Sequence, residues 1–165
     1  MSEVQPQKYF DLLETENYDQ LIKATSEIEK KIHEDHILTR HFYYLGKIKA
    51  FYAFRDKEDD ALDKTIEACK QQIEIADKTI QGFIDEHNDM ITEQNEIYAE
   101  LGIDEDFAKD AGDPHIPSHT GYLRLGLIYR KQKKYKEAIE LCEQALKQGW
   151  EGDWEKSIEQ DTKKL

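Results

Sequence analysis

Six histidines and two cysteines are the first places to look for chemistry in this chain. His33 and His36 lie three residues apart, so one helix face would carry both imidazoles, but the spacing supplies no third metal ligand. His115 and His119 straddle Pro117, which breaks the i,i+4 helical geometry that zinc enzymes use. Asp104-Glu105-Asp106 opens like a calcium loop and then lacks the glycine and the later ligands. Ser118 beside His119 reads as a helix cap rather than a nucleophile. There is no glycine-rich phosphate loop, no Gly-x-Ser-x-Gly elbow and no Cys-x2-Cys pair. Cys69 and Cys142 fall at apolar positions of helical patterns and read as buried free thiols. The expectation is a chain with no metal site, no cofactor and no catalytic residues.

The elements that would position any site are helical. Ala, Leu, Ile, Glu, Lys and Gln dominate, all good or tolerable helix formers. Three prolines and eight glycines in 165 residues leave little room for a β-sandwich, and the fold class is all-α. The net charge of −13 repels nucleic acid and anionic membranes, so no direct nucleic-acid or membrane partner is expected. No stretch of about 18 apolar residues occurs. The polar start from Met1 to Lys8 lacks a signal-peptide pattern, and with the free thiols it gives a cytoplasmic expectation.

Along the chain, residues 5–33 read as a helical hairpin, its second helix capped by Asn17 and carrying Tyr18, Leu21, Thr25 and Ile28. Residues 37–55 form an aromatic helix. From Leu62 to Leu101 apolar residues alternate spacings of four and three, a heptad seam that suits one long helix or two ordinary ones, with a break expected at His87-Asn88-Asp89. That seam also makes a homodimer an option. Asp104 is expected to cap a short helix closed near Gly112, after which two prolines mark a loop. Ser118 would cap a helix over about 119–131, Gly149 would end the next, and Asp153 would cap the last.

The clearest motif is Tyr122-x2-Leu125-Gly126-x2-Tyr129 followed by Ala138-x3-Cys142-x2-Ala145. It resembles a tetratricopeptide repeat (TPR), a helix–turn–helix unit of 34 residues that stacks into peptide-binding solenoids. Residues 119–152 resemble the repeat well. Residues 39–72 do so loosely, through Phe42-x2-Leu45-Gly46 and Ala61-x3-Thr65-x2-Ala68, with Lys49 in a tyrosine's place and a turn three residues longer. Trp150 replaces the family's proline and is expected to cover the end of the array. The resemblance implies a stack of antiparallel hairpins: a degenerate one at 5–33, a TPR-like one at 37–79, an atypical acidic helical insertion and loop at 80–117, the best repeat at 118–150, and a terminal helix at 153–164. Gly126 is expected to admit a close partner backbone.

TPR arrays present the first helix of each hairpin to a concave groove. The resemblance therefore places Arg40, Tyr43, Lys47 and Phe51 on that groove from one hairpin, and Leu123, Leu127, Arg130 and Lys131 from the other. The implied function is a non-enzymatic module binding a protein or peptide. The same residues could instead cover a neighbouring helix. A second surface, 85–113, holds eleven acidic side chains against Lys109, among them Asp89, Glu93, Glu96, Asp104, Glu105 and Asp106. It reads as a solvated face, as a decoy for a nucleic-acid-binding protein, or as a contact with the basic residues of another copy.

Overall fold

Nine α-helices carry the described chain, and no β-strand occurs among the described residues. The computed structural model describes residues 3–165. The helices are α1 (Phe10–Leu13), α2 (Tyr18–Glu29), α3 (Ile37–Ala53), α4 (Ala61–Glu74), α5 (Ala76–Glu100), α6 (Ala108–Ala111), α7 (Thr120–Lys131), α8 (Tyr135–Gln148) and α9 (Trp154–Thr162). A single 3₁₀ turn, Ile32–Glu34, leads into α3.

Local chemistry sets most of the boundaries. The Asn17 side chain accepts from the Gln20 N–H at 3.1 Å and opens α2. Gly149, in the left-handed conformation at φ 92°, closes α8. Histidine does the capping elsewhere: His36 Nδ1 accepts from the Leu38 N–H, and His119 Nδ1 accepts from the Tyr122 N–H. The α7 cap is thus His119 and not Ser118. Asp153 precedes α9 without a side-chain capping bond. Asp104 does not cap α6; Asp106 Oδ1 accepts from the Ala108 N–H there.

The heptad seam is divided. Ile75 separates α4 from α5, and α5 then runs unbroken through His87-Asn88-Asp89 for 25 residues, roughly 37 Å. With neither proline nor glycine at the expected break, nothing there opposes the helical ladder. The first half of the seam is used inside the chain, where Ile66, Cys69 and Ile73 pack with Ile48 and Leu125.

The helices pair as hairpins α1/α2, α3/α4 and α7/α8, with α9 lying on α8. α4 packs directly on α7, so the α5–α6 excursion leaves two neighbouring hairpins in contact. The root of α5 lies against α3, where Gly82 lets it approach Ile37 and Leu38. Beyond the root, α5 and the returning chain form an arm. Asn95 Oδ1 accepts from the Phe107 N–H, the Tyr98 and Phe107 rings meet edge to face, and His87 Nε2 lies 3.0 Å from the Gly112 carbonyl oxygen.

Candidate functional site

Of the residues expected on the groove, Tyr43, Lys47 and Phe51 lie inside the molecule, each at most 3% exposed. They face α2. Tyr43 donates its hydroxyl hydrogen to Glu29 Oε2, Lys47 Nζ sits 2.9 Å from the same carboxylate, and Phe51 meets the edge of Tyr18. Burial works to raise the Glu29 pKa, but hydrogen bonds from Tyr43, Lys47 and Gln71 more than offset it and hold the carboxyl below its ordinary value. A lysine is tolerated in this core because its charge is met there.

These contacts fix the true register of α3. Thr25 and Thr65 each bond back one turn, to the Leu21 and Ala61 carbonyls, which aligns Glu29 of α2 with Cys69 of α4. Glu29 meets Tyr43 as Cys69 meets Gly121, so Tyr43 and Gly121 are equivalent. Tyr44, Lys47, Ile48 and Phe51 then take the places that Tyr122, Leu125, Gly126 and Tyr129 hold on α7. Gly46, read as the repeat's glycine, instead makes room for Leu13 and Phe10 of α1. Ile48 to Ala61 spans 13 positions against 12 from Gly126 to Ala138, so the hairpin is one residue longer rather than three. Gly126 has no partner backbone near its missing Cβ: the nearest atoms belong to Arg130, at 3.3 Å.

With that register, the outward face of α3 is Leu45, Lys49, Tyr52 and Ala53, equivalent to Leu123, Leu127, Arg130 and Lys131 on α7. Leu45, Lys49 and Ala53 line a cleft of about 730 Å³ between α1 and α3, with Phe10, Leu13, Ala50 and Phe54 supplying apolar walls and Glu14, Glu16 and Lys57 at its rim. At the other edge of α3, Tyr52 bridges to α7. The Arg55 and Arg124 guanidinium carbons lie 4.1 and 4.0 Å from its ring centroid, and Lys131 Nζ is 3.4 Å from its hydroxyl. Burial would raise the Tyr52 pKa, yet these three cations together hold it below the ordinary phenol value. The nearest paired acid is Asp56, 3.9 Å from Arg55 and largely exposed.

On α7, Leu123 is exposed, Lys131 is exposed and Leu127 is half-buried. Arg130 is occupied: its Nε lies 2.9 Å from both carboxylate oxygens of buried Asp161 on α9, and its Nη2 reaches Cys142 Sγ. Arg40 is half-buried, and its Nε is buried without a hydrogen-bond partner.

A second cluster sits where α3, α5 and α7 converge. His41 and His119 are essentially unexposed, with ring centroids 5.5 Å apart, and Trp150 stacks parallel to His41 at 5.7 Å while meeting His119 edge to face. Trp150 therefore fills the junction between hairpins rather than covering the array's end. Burial lowers both imidazoles, His41 to about 4 and His119 to about 3, so both are neutral at pH 7. His41 Nδ1 and His119 Nε2 have no hydrogen-bond partner. Gln72 bridges this junction, donating to the His41 carbonyl and accepting from the Gly121 N–H. Sequence reasoning missed it, since a glutamine in a helix carries no signal of burial.

On the arm, Asp89, Glu93, Glu96, Asp104, Glu105 and Asp106 are all exposed. Asp106 is held by the Ala108 N–H and by Asn95, which lower its pKa. The others make no ion pair within 4.0 Å among the described residues. Among the described residues no three His, Cys, Asp or Glu side chains are arranged to hold a metal ion, and no helix is long and apolar enough to cross a membrane. Both cysteines are buried and free, and burial pushes the Cys69 thiol up to about 12.

Residues 120–148, spanning α7, its turn and α8, match the family model of the tetratricopeptide repeat. No curated protein and no solved structure matches the chain. A TPR within an all-helical stack of hairpins is the architecture of a protein-interaction module in general.

Proposed function

We propose that this chain is a non-enzymatic protein- or peptide-binding module acting through the outward face of α3 and α7. One observation supports the reading: Tyr52 of α3 meets Arg124 and Lys131 of α7, on the helix that also carries exposed Leu123 and half-buried Leu127. This gives an apolar strip edged by cations in an acidic molecule, with the cleft between α1 and α3 at the opposite edge of α3. Such a strip suits a segment with apolar and acidic side chains. Tyr43, Lys47, Phe51 and Arg130 serve it from behind, by holding α3 and α7 to their neighbours.

The second reading is a decoy acting through the exposed, unpaired carboxylates of the arm on a basic cleft of a nucleic-acid-binding protein. Affinity capture separates the two. The baits are the wild type, a groove variant (Leu123→Asp with Lys131→Glu) and an arm variant (Asp104→Asn, Glu105→Gln, Asp106→Asn). A partner retained at moderate salt by wild type and arm variant, and lost from the groove variant, is the expected result. A basic partner lost only from the arm variant, and from wild type at high salt, would overturn the groove in favour of the decoy.

A further inference from the structure

The end of the arm exposes large apolar groups that a solitary chain leaves in water. Leu101 is 69% exposed, Ile97 44% and Ile103 38%, set among Glu96, Glu100 and Asp104. Ile97 and Leu101 stand one helical turn apart, so they share a face, and Gly102 at φ 72° then turns Ile103 back beside them. The groove offers the inverse pattern. Leu45 and Leu123 are equivalent positions on α3 and α7, and Arg55, Arg124 and Lys131 crowd around Tyr52, with exposed Asp56 3.9 Å from Arg55. Leu101 and Leu123 are both exposed in the same chain, so the two surfaces are not joined within one copy.

We infer that the occupant of the groove is the arm tip of a second copy, so that the chain self-associates head to tail. The inference rests on the groove reading and adds the partner's identity. Ile97 and Leu101 lie on the apolar strip, and Glu100 and Asp104 reach Arg124 and Lys131. The contact joins two different patches, so it is heterologous. It leaves one free groove and one free tip on every assembly and grows with concentration unless it closes into a ring. It also satisfies the unpaired charge on both surfaces.

Sedimentation equilibrium on the 165-residue chain, from micromolar to submillimolar concentration, tests this. The average mass of the wild type should rise with concentration and rise less in high salt. Leu101→Asp, which spoils the tip, and Arg124→Glu with Lys131→Glu, which spoils the groove, should each remain monomeric. Mixed together they should form a one-to-one dimer, because one copy keeps its groove and the other its tip. Circular dichroism melts confirm that the variants fold. Leu123→Asp replaces the groove variant if the charge reversals unfold it.

A wild type that stays monomeric throughout overturns the inference, as does a tip or groove variant that associates like wild type. An associating wild type whose two variants do not complement each other overturns it as well. If the chain is monomeric while the groove variant loses a foreign partner, self-association falls and the groove reading stands. If the groove variant keeps both its partners and its self-association, both fall.

Discussion

Gly121 and Gly126 lie five residues apart on α7 and do opposite things. A Cβ on Gly121 would meet the Cys69 carbonyl oxygen at 3.0 Å and Gln72 Oε1 at 2.9 Å, so α7 could not approach α4 as it does. Gly121→Ala should cost about 1–3 kcal/mol in a urea titration. The atoms nearest a Cβ on Gly126 belong to the Arg130 guanidinium, at 3.3 Å; held by Asp161, it must give by a few tenths of an ångström. Alanine is the better helix former and offsets this, so Gly126→Ala should stay within about 0.5 kcal/mol of wild type. The buried histidines give this scale its pH dependence. Their folded pKa values, about 4 for His41 and about 3 for His119, lie below the ordinary 6.5, so the unfolded chain takes up protons first as pH falls. Stability is full above about pH 6.5 and declines below it, by up to about 1.4 kcal/mol per pH unit for each ring. Urea unfolding at pH 7.5 and 5 should show a loss of roughly 2–4 kcal/mol. His41→Phe should flatten that slope.

At the scale of elements, the arm is an appendage on an intact junction. α4 meets α7 directly, and the two ends of the arm come together where His87 Nε2 lies 3.0 Å from the Gly112 oxygen. Replacing residues 88–111 with a short Gly-Ser turn should keep one cooperative melting transition within a few degrees of wild type, as read by calorimetry. A broad, non-cooperative melt would mean that the arm holds the hairpins in place. α4 and α5 also show how far patterning reaches. The four-and-three spacing from Leu62 to Leu101 identified helix but could not locate the bend at Ile75, where the ladder breaks without proline or glycine.

For the whole molecule, a charge of −13 on 165 residues is the dominant long-range term. The buried pairs, Lys47 with Glu29 and Arg130 with Asp161, are shielded from added ions, whereas the acidic arm is not. Self-repulsion should therefore be screened by salt, and Tm should rise by a few degrees between low and moderate NaCl at pH 7.5. A falling Tm would show that exposed ion pairs outweigh the repulsion.

Residue types and spacing by themselves determined the helical class, the repeat at α7–α8, both buried thiols, the Asn17 cap and the glycine stops, because each follows from local propensity or a fixed period. The register of α3 did not follow. Phe42-x2-Leu45-Gly46 matches the repeat by type, but Lys47 and Ile48 take the inward places, since Glu29 neutralises the lysine's charge from another helix. A pairing across 18 residues cannot be read from a pattern within one helix. The burial of Gln72, His41 and His119 was decided in the same way, by partners that only the packed hairpins bring together. Which face of α3 is left open to a ligand was therefore a property of the tertiary structure alone.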